Sequence, residues 1–184
     1  MRNMLAVLIL ASCVSQTGQQ VVESYRAARD RGDDAAAQRW LAPDARIWFE
    51  KKEGPGEPYG RPGSRYEHWD RYFHSRSTMT DWQSHDGALS ALVHETNDFY
   101  RLLDWQPAPY RLTFRFDDAG RIREVLLTST GAKSTSRLEE FESWARAHHP
   151  EELAYLLPNG RVDPTGDRPE RWTRILTEWR SVRQ

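Results

Sequence analysis

The feature that most constrains the fold is a hairpin pattern between Tyr110 and Leu127. Residues 110–116 alternate large apolar and polar side chains, and residues 122–127 alternate again after the turn Asp118-Ala119-Gly120. An alternation of period two decides which side chains share a face of a sheet, because a slip of one residue would turn every side chain over. A short aromatic segment, 97–105, precedes the hairpin. The stretch 97–129 therefore predicts the core of a sheet.

The composition is typical of a folded domain. The chain has 184 residues, with 26 basic and 27 acidic side chains, so it lacks the basic footprint of a nucleic-acid-binding protein. Only 38% of residues are hydrophobic, but 8 Trp, 7 Tyr and 6 Phe are present. Each large ring buries on the order of 150–250 Å². The sequence therefore predicts one folded domain and no nucleic-acid partner.

The N-terminus resembles a bacterial lipoprotein signal. A short basic start and an apolar run, too short to span a bilayer, lead to Leu10-Ala11-Ser12-Cys13. We interpret residues 1–12 as a signal peptide, Cys13 as the lipidated residue and 13–18 as a tether. An ordinary secretory signal and a buried N-terminal segment are the alternatives. The motif predicts an exported protein whose lipid anchor is its only membrane contact. Because Val14 is not acidic, the pattern resembles outer-membrane sorting on the periplasmic side of Gram-negative cells.

Hydrophobic periodicity predicts the order of the remaining elements. Helices are expected at 19–31, from Asp33 or Asp34 onward, and at 65–74, and strands at 45–50, 78–84 and 88–95. After the hairpin, Ser136 and Glu139 form a capping-box pattern that opens further helices. We predict a pocket domain over 19–133 and a helical extension over 134–184 that packs on the same domain.

This order of elements resembles the nuclear transport factor 2-like superfamily, in particular its SnoaL-like branch. The matching residues are the end of the opening helix pair, 40–45 (WLAPDA), and the hairpin turn, 118–122 (DAGRI). The resemblance implies an α+β fold with a cone-shaped, curved antiparallel sheet, three helices from the N-terminal half and extra C-terminal helices. It implies a cavity, and it allows a homodimer. The family contains enzymes and binding domains, so the fold does not decide the function.

Two residues are candidates for acid–base catalysis. His94 lies near the end of a strand, and Asp81 lies inside one. A carboxyl group buried in the cavity would have a raised pKa, as a general base needs. The alternatives are a structural histidine and an exposed aspartate. Asp70 and His74 would share a helix face at a spacing of four, and that face would otherwise be solvated.

A second group of residues would bind a ligand. Arg115 would hold an acidic ligand, unless it pairs with Glu124 or Asp117 across the hairpin. The adjacent His148 and His149 have no third ligand at a suitable spacing, so no metal site is expected. No phosphate-binding loop or nucleophile elbow is present, and no cofactor is expected. The candidate aromatic lining, which would otherwise be plain core, is Trp48, Trp69, Tyr72, Tyr100 and Trp105.

Three functions are compatible with these patterns. The first is a pocket domain that binds a small apolar or aromatic molecule at the cell envelope. The second is a dehydratase, isomerase or cyclase that uses His94 or Asp81. The third is an envelope interaction module, which requires an exposed stripe containing Trp172 and Trp179. The first is favoured because no acid–base pair stands out by spacing.

Overall fold

The computed structural model describes residues 18–61, 65–132 and 137–183. The predicted signal peptide, Cys13, most of the tether and Ser136 lie outside these residues. The described chain forms two compact units. The sheet unit consists of 18–61, Met79–Val93 and Tyr110–Thr130. The helical unit consists of 65–78, His94–Pro109 and the described residues from 131 onward.

A six-stranded sheet confirms the predicted α+β class. Its strand order is β2-β1-β6-β5-β4-β3. The β5–β6 hairpin has the register that the alternation predicts, with Leu112 opposite Leu127 and Phe114 opposite Val125. One detail differs, because β1 pairs with β6 in parallel orientation and the sheet is mixed. The strands are β1 (Leu41–Phe49), β2 (Glu57–Pro58), β3 (Arg76–His85), β4 (Ala88–Thr96), β5 (Tyr110–Phe116) and β6 (Ile122–Ser129).

Helices occupy the positions that the periodicity predicts. Asp33 caps the second helix by accepting a hydrogen bond from the backbone N–H of Ala36 at 2.9 Å. None of the helices in the described part of the chain is long and apolar enough to cross a membrane. The helices are α1 (18–30), α2 (Asp34–Gln38), α3 (Arg65–Tyr72), α4 (Asp98–Leu102), α5 (Leu138–His148), α6 (Pro150–Leu156) and α7 (Arg168–Ser181).

The start of β1 departs from the sequence prediction. The helical stripe was expected to continue through Leu41, with a strand beginning only at Ala45. The structure instead begins β1 at Leu41 and shifts the pairing register between Leu41 and Arg46. Pro43 lies in this irregular stretch, where its missing N–H costs no ladder hydrogen bond.

The core of the sheet unit is almost entirely apolar. It joins one face of α1 to the inward side chains of the strands, and Tyr25 is its most polar member.

The β3–β4 connection is the tight turn that the dipeptide Asp86-Gly87 predicts, with φ values of 49° and 70°. Two consecutive positive φ angles match the twist of a hairpin, which explains the preference for this dipeptide.

The core of the helical unit combines aromatic rings with aliphatic side chains. Phe99 is 1% exposed, and its ring contacts rings on both sides of it in the chain and on α7. Trp172 and Trp179 are 0% and 2% exposed. The stripe that the interaction-module hypothesis required at the surface is therefore buried in this core.

Candidate functional site

Three of the aromatic residues proposed to line a pocket lie around one cluster in the helical unit. Tyr72, Tyr100 and Trp105 are partly buried and pack on a core that contains Trp69. Trp69 itself is only 7% exposed, with the ring of Phe73 4.5 Å away. Trp69 therefore belongs to the core beneath the site, and the other three residues form its accessible side.

A polar group borders this aromatic surface. Asn97 is buried and caps α4, because its side-chain oxygen accepts a hydrogen bond from the N–H of Tyr100 at 2.8 Å. Its amide nitrogen lies 3.4 Å from a carboxylate oxygen of Glu95. The Tyr100 hydroxyl donates to the same oxygen at 3.4 Å. Glu95 thus orients both an amide and a phenol at the start of α4.

Tyr100 is a hydrogen-bond donor and not a base. Burial raises the pKa of its hydroxyl above the usual range, and the negative charge of Glu95 raises it further. The charge of Asp70, on α3, adds to this effect. The phenol is therefore neutral at physiological pH. It therefore cannot remove a proton from a ligand, and its only O–H hydrogen is already donated to Glu95.

Trp105 supplies a second donor beside Tyr100. The two rings lie 5.0 Å apart in a nearly perpendicular arrangement. The Trp105 indole N–H is buried and has no hydrogen-bond partner among the described residues, and the same is true of Trp172. Buried donors are normally satisfied, so each exception calls for an explanation. Trp172 is fully enclosed, whereas part of the Trp105 ring is exposed, although its indole nitrogen is itself covered.

The candidate catalytic residues lie elsewhere. His94 is exposed on β4. Asp81 is exposed on β3, where the Arg111 guanidinium lies 2.6 Å from its carboxylate. Hydrogen bonds from Arg111 and Gln83 lower the pKa of Asp81, which makes it a weaker base. This geometry gives the acid–base hypothesis no support.

The expected Asp70–His74 pair does not form across a helix face. Helix α3 ends at Tyr72, and His74 adopts a left-handed conformation with φ of 51°. The spacing of four therefore no longer places the two side chains together. His74 instead contacts Asp98, with Nδ1 2.6 Å from the carboxylate. That hydrogen bond is the main cause of the lowered pKa of Asp98.

Trp48 and Arg115 belong to the sheet unit. The Trp48 indole donates to the carbonyl of Gly54 at 3.2 Å, and Lys52 lies 5.0 Å from its ring centre. The loop after β1 therefore covers Trp48. Arg115 is exposed and sits opposite Glu124 in the ladder, but the Glu124 carboxylate pairs with Lys52 at 2.7 Å. Its guanidinium donates to the backbone carbonyl of Asp86 at 3.1 Å.

The donor set is not one that holds a metal ion. Within the described ranges, no group of three or more His, Cys, Asp or Glu side chains has the geometry for a metal. The assembled chemistry is an aromatic surface with one hydrogen-bond donor, the Trp105 indole N–H, that has no partner among the described residues.

Tyr100 should resist ionisation in the folded protein. The pKa of an exposed tyrosine is about 10. Because the folded-state pKa of Tyr100 is higher, its stabilising effect is complete below the unfolded-state pKa of about 10 and is lost as pH rises from there through the folded-state pKa. We expect the ultraviolet titration of wild type and Tyr100→Phe to coincide up to the alkaline unfolding transition. A difference of one tyrosinate between them in folded protein near pH 10 would contradict the assignment.

The comparisons with known proteins bear on the fold of this chain and not on its function. No protein-family model and no curated protein matches the sequence. Solved structures with a similar fold include RV0760c from Mycobacterium tuberculosis, at 12% identity and a TM-score of 0.49, covering 65% of this chain and 96% of that chain. A SnoaL-like family protein from Agrobacterium tumefaciens has 14% identity and a TM-score of 0.46, covering 63% and 99%. An NTF2-like protein of unknown function from Cytophaga hutchinsonii has 9% identity and a TM-score of 0.40, covering 60% and 87%. At these identities, none of them assigns a ligand or a reaction to this chain.

Proposed function

We propose that this chain is an exported protein, anchored through acyl chains on Cys13, that binds a small apolar or aromatic molecule at the cell envelope. The binding site is the surface formed by Tyr72, Tyr100 and Trp105. The observation that supports it is the buried indole N–H of Trp105, which has no hydrogen-bond partner among the described residues. A ligand acceptor that moves the ring enough to reach this N–H would satisfy the donor and would remove the cost of leaving it unbonded, about 1–3 kcal/mol.

The ligand class follows from the chemistry of the surface. The ring faces favour a flat molecule, since aromatic pairs contribute about 0.5–1.5 kcal/mol beyond the area they bury. The Tyr100 hydroxyl donates its only hydrogen to Glu95, so the Trp105 indole N–H is the donor left for a ligand, which therefore needs an acceptor such as a carbonyl oxygen. The carboxylates of Glu95 and Asp70 act on Tyr100 through their charge, and they disfavour a ligand with a negative group nearby.

Binding of a matched pair of probes tests this proposal. Acetylnaphthalene carries a carbonyl acceptor, and ethylnaphthalene has the same ring system without one. We expect wild type to bind acetylnaphthalene about two- to tenfold more tightly, because one hydrogen bond contributes about 0.5–1.5 kcal/mol. The preference should be lost in Trp105→Phe, which keeps an aromatic ring but has no N–H. Quenching of tryptophan fluorescence provides the measurement.

Trp144→Phe is the matched control. Trp144 belongs to the same unit, but its ring stacks on His148 at 5.2 Å on α5. This variant loses one tryptophan without touching the site, so it should keep the preference for acetylnaphthalene. Equal affinity of wild type for the two probes, or an unchanged preference in Trp105→Phe, would refute the assignment.

A further inference from the structure

We infer that the end of the sheet unit that carries the β3–β4 and β5–β6 turns faces the membrane surface. The occupant of this surface is the headgroup region of the bilayer. The inference rests on the proposed lipid anchor at Cys13. It adds to that proposal which surface of the sheet unit lies against the membrane.

The first described residue of α1 fixes the point from which the tether leaves the unit. A Cβ added at Gly18 would lie 3.1 Å from a ring carbon of Phe116 and 3.5 Å from the side chain of Leu89. Phe116 is the last residue of β5, directly before the β5–β6 turn. Leu89 is the second residue of β4, directly after the β3–β4 turn. Helix α1 therefore begins at the turn end of the sheet.

The length of the tether limits how far this end can be from the lipid. Gly18 follows Cys13 by five positions. Five residues span at most about 18 Å when fully extended. Acyl chains on Cys13 would hold that residue at the bilayer interface. The turn end of the sheet unit therefore lies within about 18 Å of the membrane surface at its point of attachment.

The opposite end of the sheet is much farther along the strands. Strand β1 runs parallel to β6, from Leu41 opposite Ile122 to Phe49 opposite Leu127. The loop that follows Phe49 is therefore at the end away from the turns. At a rise of about 3.3 Å per residue, strands of this length separate the two ends by roughly 25 Å. The two ends offer positions that differ clearly in distance from the lipid.

Electrostatic attraction does not set this orientation. At the turn end, basic and acidic side chains neutralise each other in two direct pairs: Arg121 with Asp117 at 2.8 Å and Arg123 with Asp44 at 3.2 Å. A balanced surface is neither drawn to nor repelled from an anionic membrane. Salt screens the attraction between exposed charges and a membrane surface. Because no such attraction sets this orientation, added salt should not change it.

Energy transfer from two positions tests the inference in the full-length acylated protein. Cys13 is the only cysteine of the chain, so after its acylation an introduced cysteine is the single labelling site. Ala119→Cys places a donor dye at the tip of the β5–β6 turn, and Glu53→Cys places it in the exposed loop after β1. Each labelled protein is added to preformed phosphatidylcholine vesicles that contain a rhodamine-headgroup lipid as acceptor.

We expect several-fold stronger transfer from position 119 than from position 53, with the difference unchanged by added salt. Equal transfer, or stronger transfer from position 53, in protein bound to the vesicles would overturn the orientation and leave the anchor intact. A separate arm compares wild type with Cys13→Ser by membrane fractionation. Retention of Cys13→Ser in the membrane fraction, or absence of wild type from it, would overturn the anchor and the orientation together.

Discussion

Replacing Phe99 with alanine should lower the free energy of unfolding of the helical unit by about 3–5 kcal/mol. Phe99 is 1% exposed, and its ring centre lies 4.9 Å from that of Trp69 and 5.1 Å from that of Trp172. Alanine would remove the phenyl group and leave a cavity bounded by large rings. Rigid rings cannot collapse into such a space without leaving their rotamers, so the loss should be near the upper part of the range.

Urea unfolding followed by tryptophan fluorescence measures this loss, since Trp69, Trp105, Trp144, Trp172 and Trp179 all belong to the helical unit. The matched control is Phe49→Ala, the same chemical change at a side chain that is 40% exposed. Phe49→Ala should cost far less, because a half-exposed ring has less buried area to lose. If the two variants lost similar stability, Phe99 would not be the centre of this core.

The importance of Phe99 could not be predicted from its local sequence. Residues 98–104 predicted only a helical turn, and that turn is present as α4. Two of the rings that contact Phe99 come from α3 and α7, which lie far away in the chain. Periodicity identifies which face of an element is apolar, but it does not identify the partner of that face. The β5–β6 register was predictable for the opposite reason, since its alternation and its turn lie in one continuous stretch.

The candidate site likewise combines residues that the sequence could indicate with contacts that it could not. Tyr100 and Trp105 were expected to contact a ligand, and the structure places them 5.0 Å apart. Glu95 was not expected, although it precedes Tyr100 by five positions and accepts its hydroxyl hydrogen bond. Glu95 lies near the end of β4, and the chain changes direction at the Asn97 cap. The Glu95 side chain therefore comes back toward α4. The available signal was a carboxylate two positions before Asn97, a residue type that often caps helices. Nothing in the sequence indicated that the Trp105 donor would have no partner among the described residues, because whether a donor is bonded depends on every neighbouring atom.

Gly60→Ala should be the most damaging small substitution in the sheet unit, with an expected loss of about 2–5 kcal/mol from backbone strain and overpacking together. Gly60 has a φ of 62°, and an added Cβ would lie 2.5 Å from the Tyr25 hydroxyl and 2.6 Å from a methyl carbon of Leu41. Both neighbours are 5% exposed, so neither can move aside into solvent. The carbonyl of Gly60 also accepts a hydrogen bond from Gln38 at 2.5 Å, which holds the backbone in place.

Gly87→Ala separates the two contributions to this loss. Gly87 has a φ of 70°, and an added Cβ would meet nothing within 4 Å, so this variant should lose only the left-handed penalty of about 1–2 kcal/mol. The double variant Tyr25→Phe/Gly60→Ala then tests the cause of the excess. Removing the hydroxyl removes the shortest contact, so urea unfolding should show the double variant losing less stability than the sum of the single variants, by about 0.5–3 kcal/mol. Strict additivity would show that the close approach of Gly60 to the Tyr25 hydroxyl does not limit this position, because the strain would then come from the backbone and the contact with Leu41.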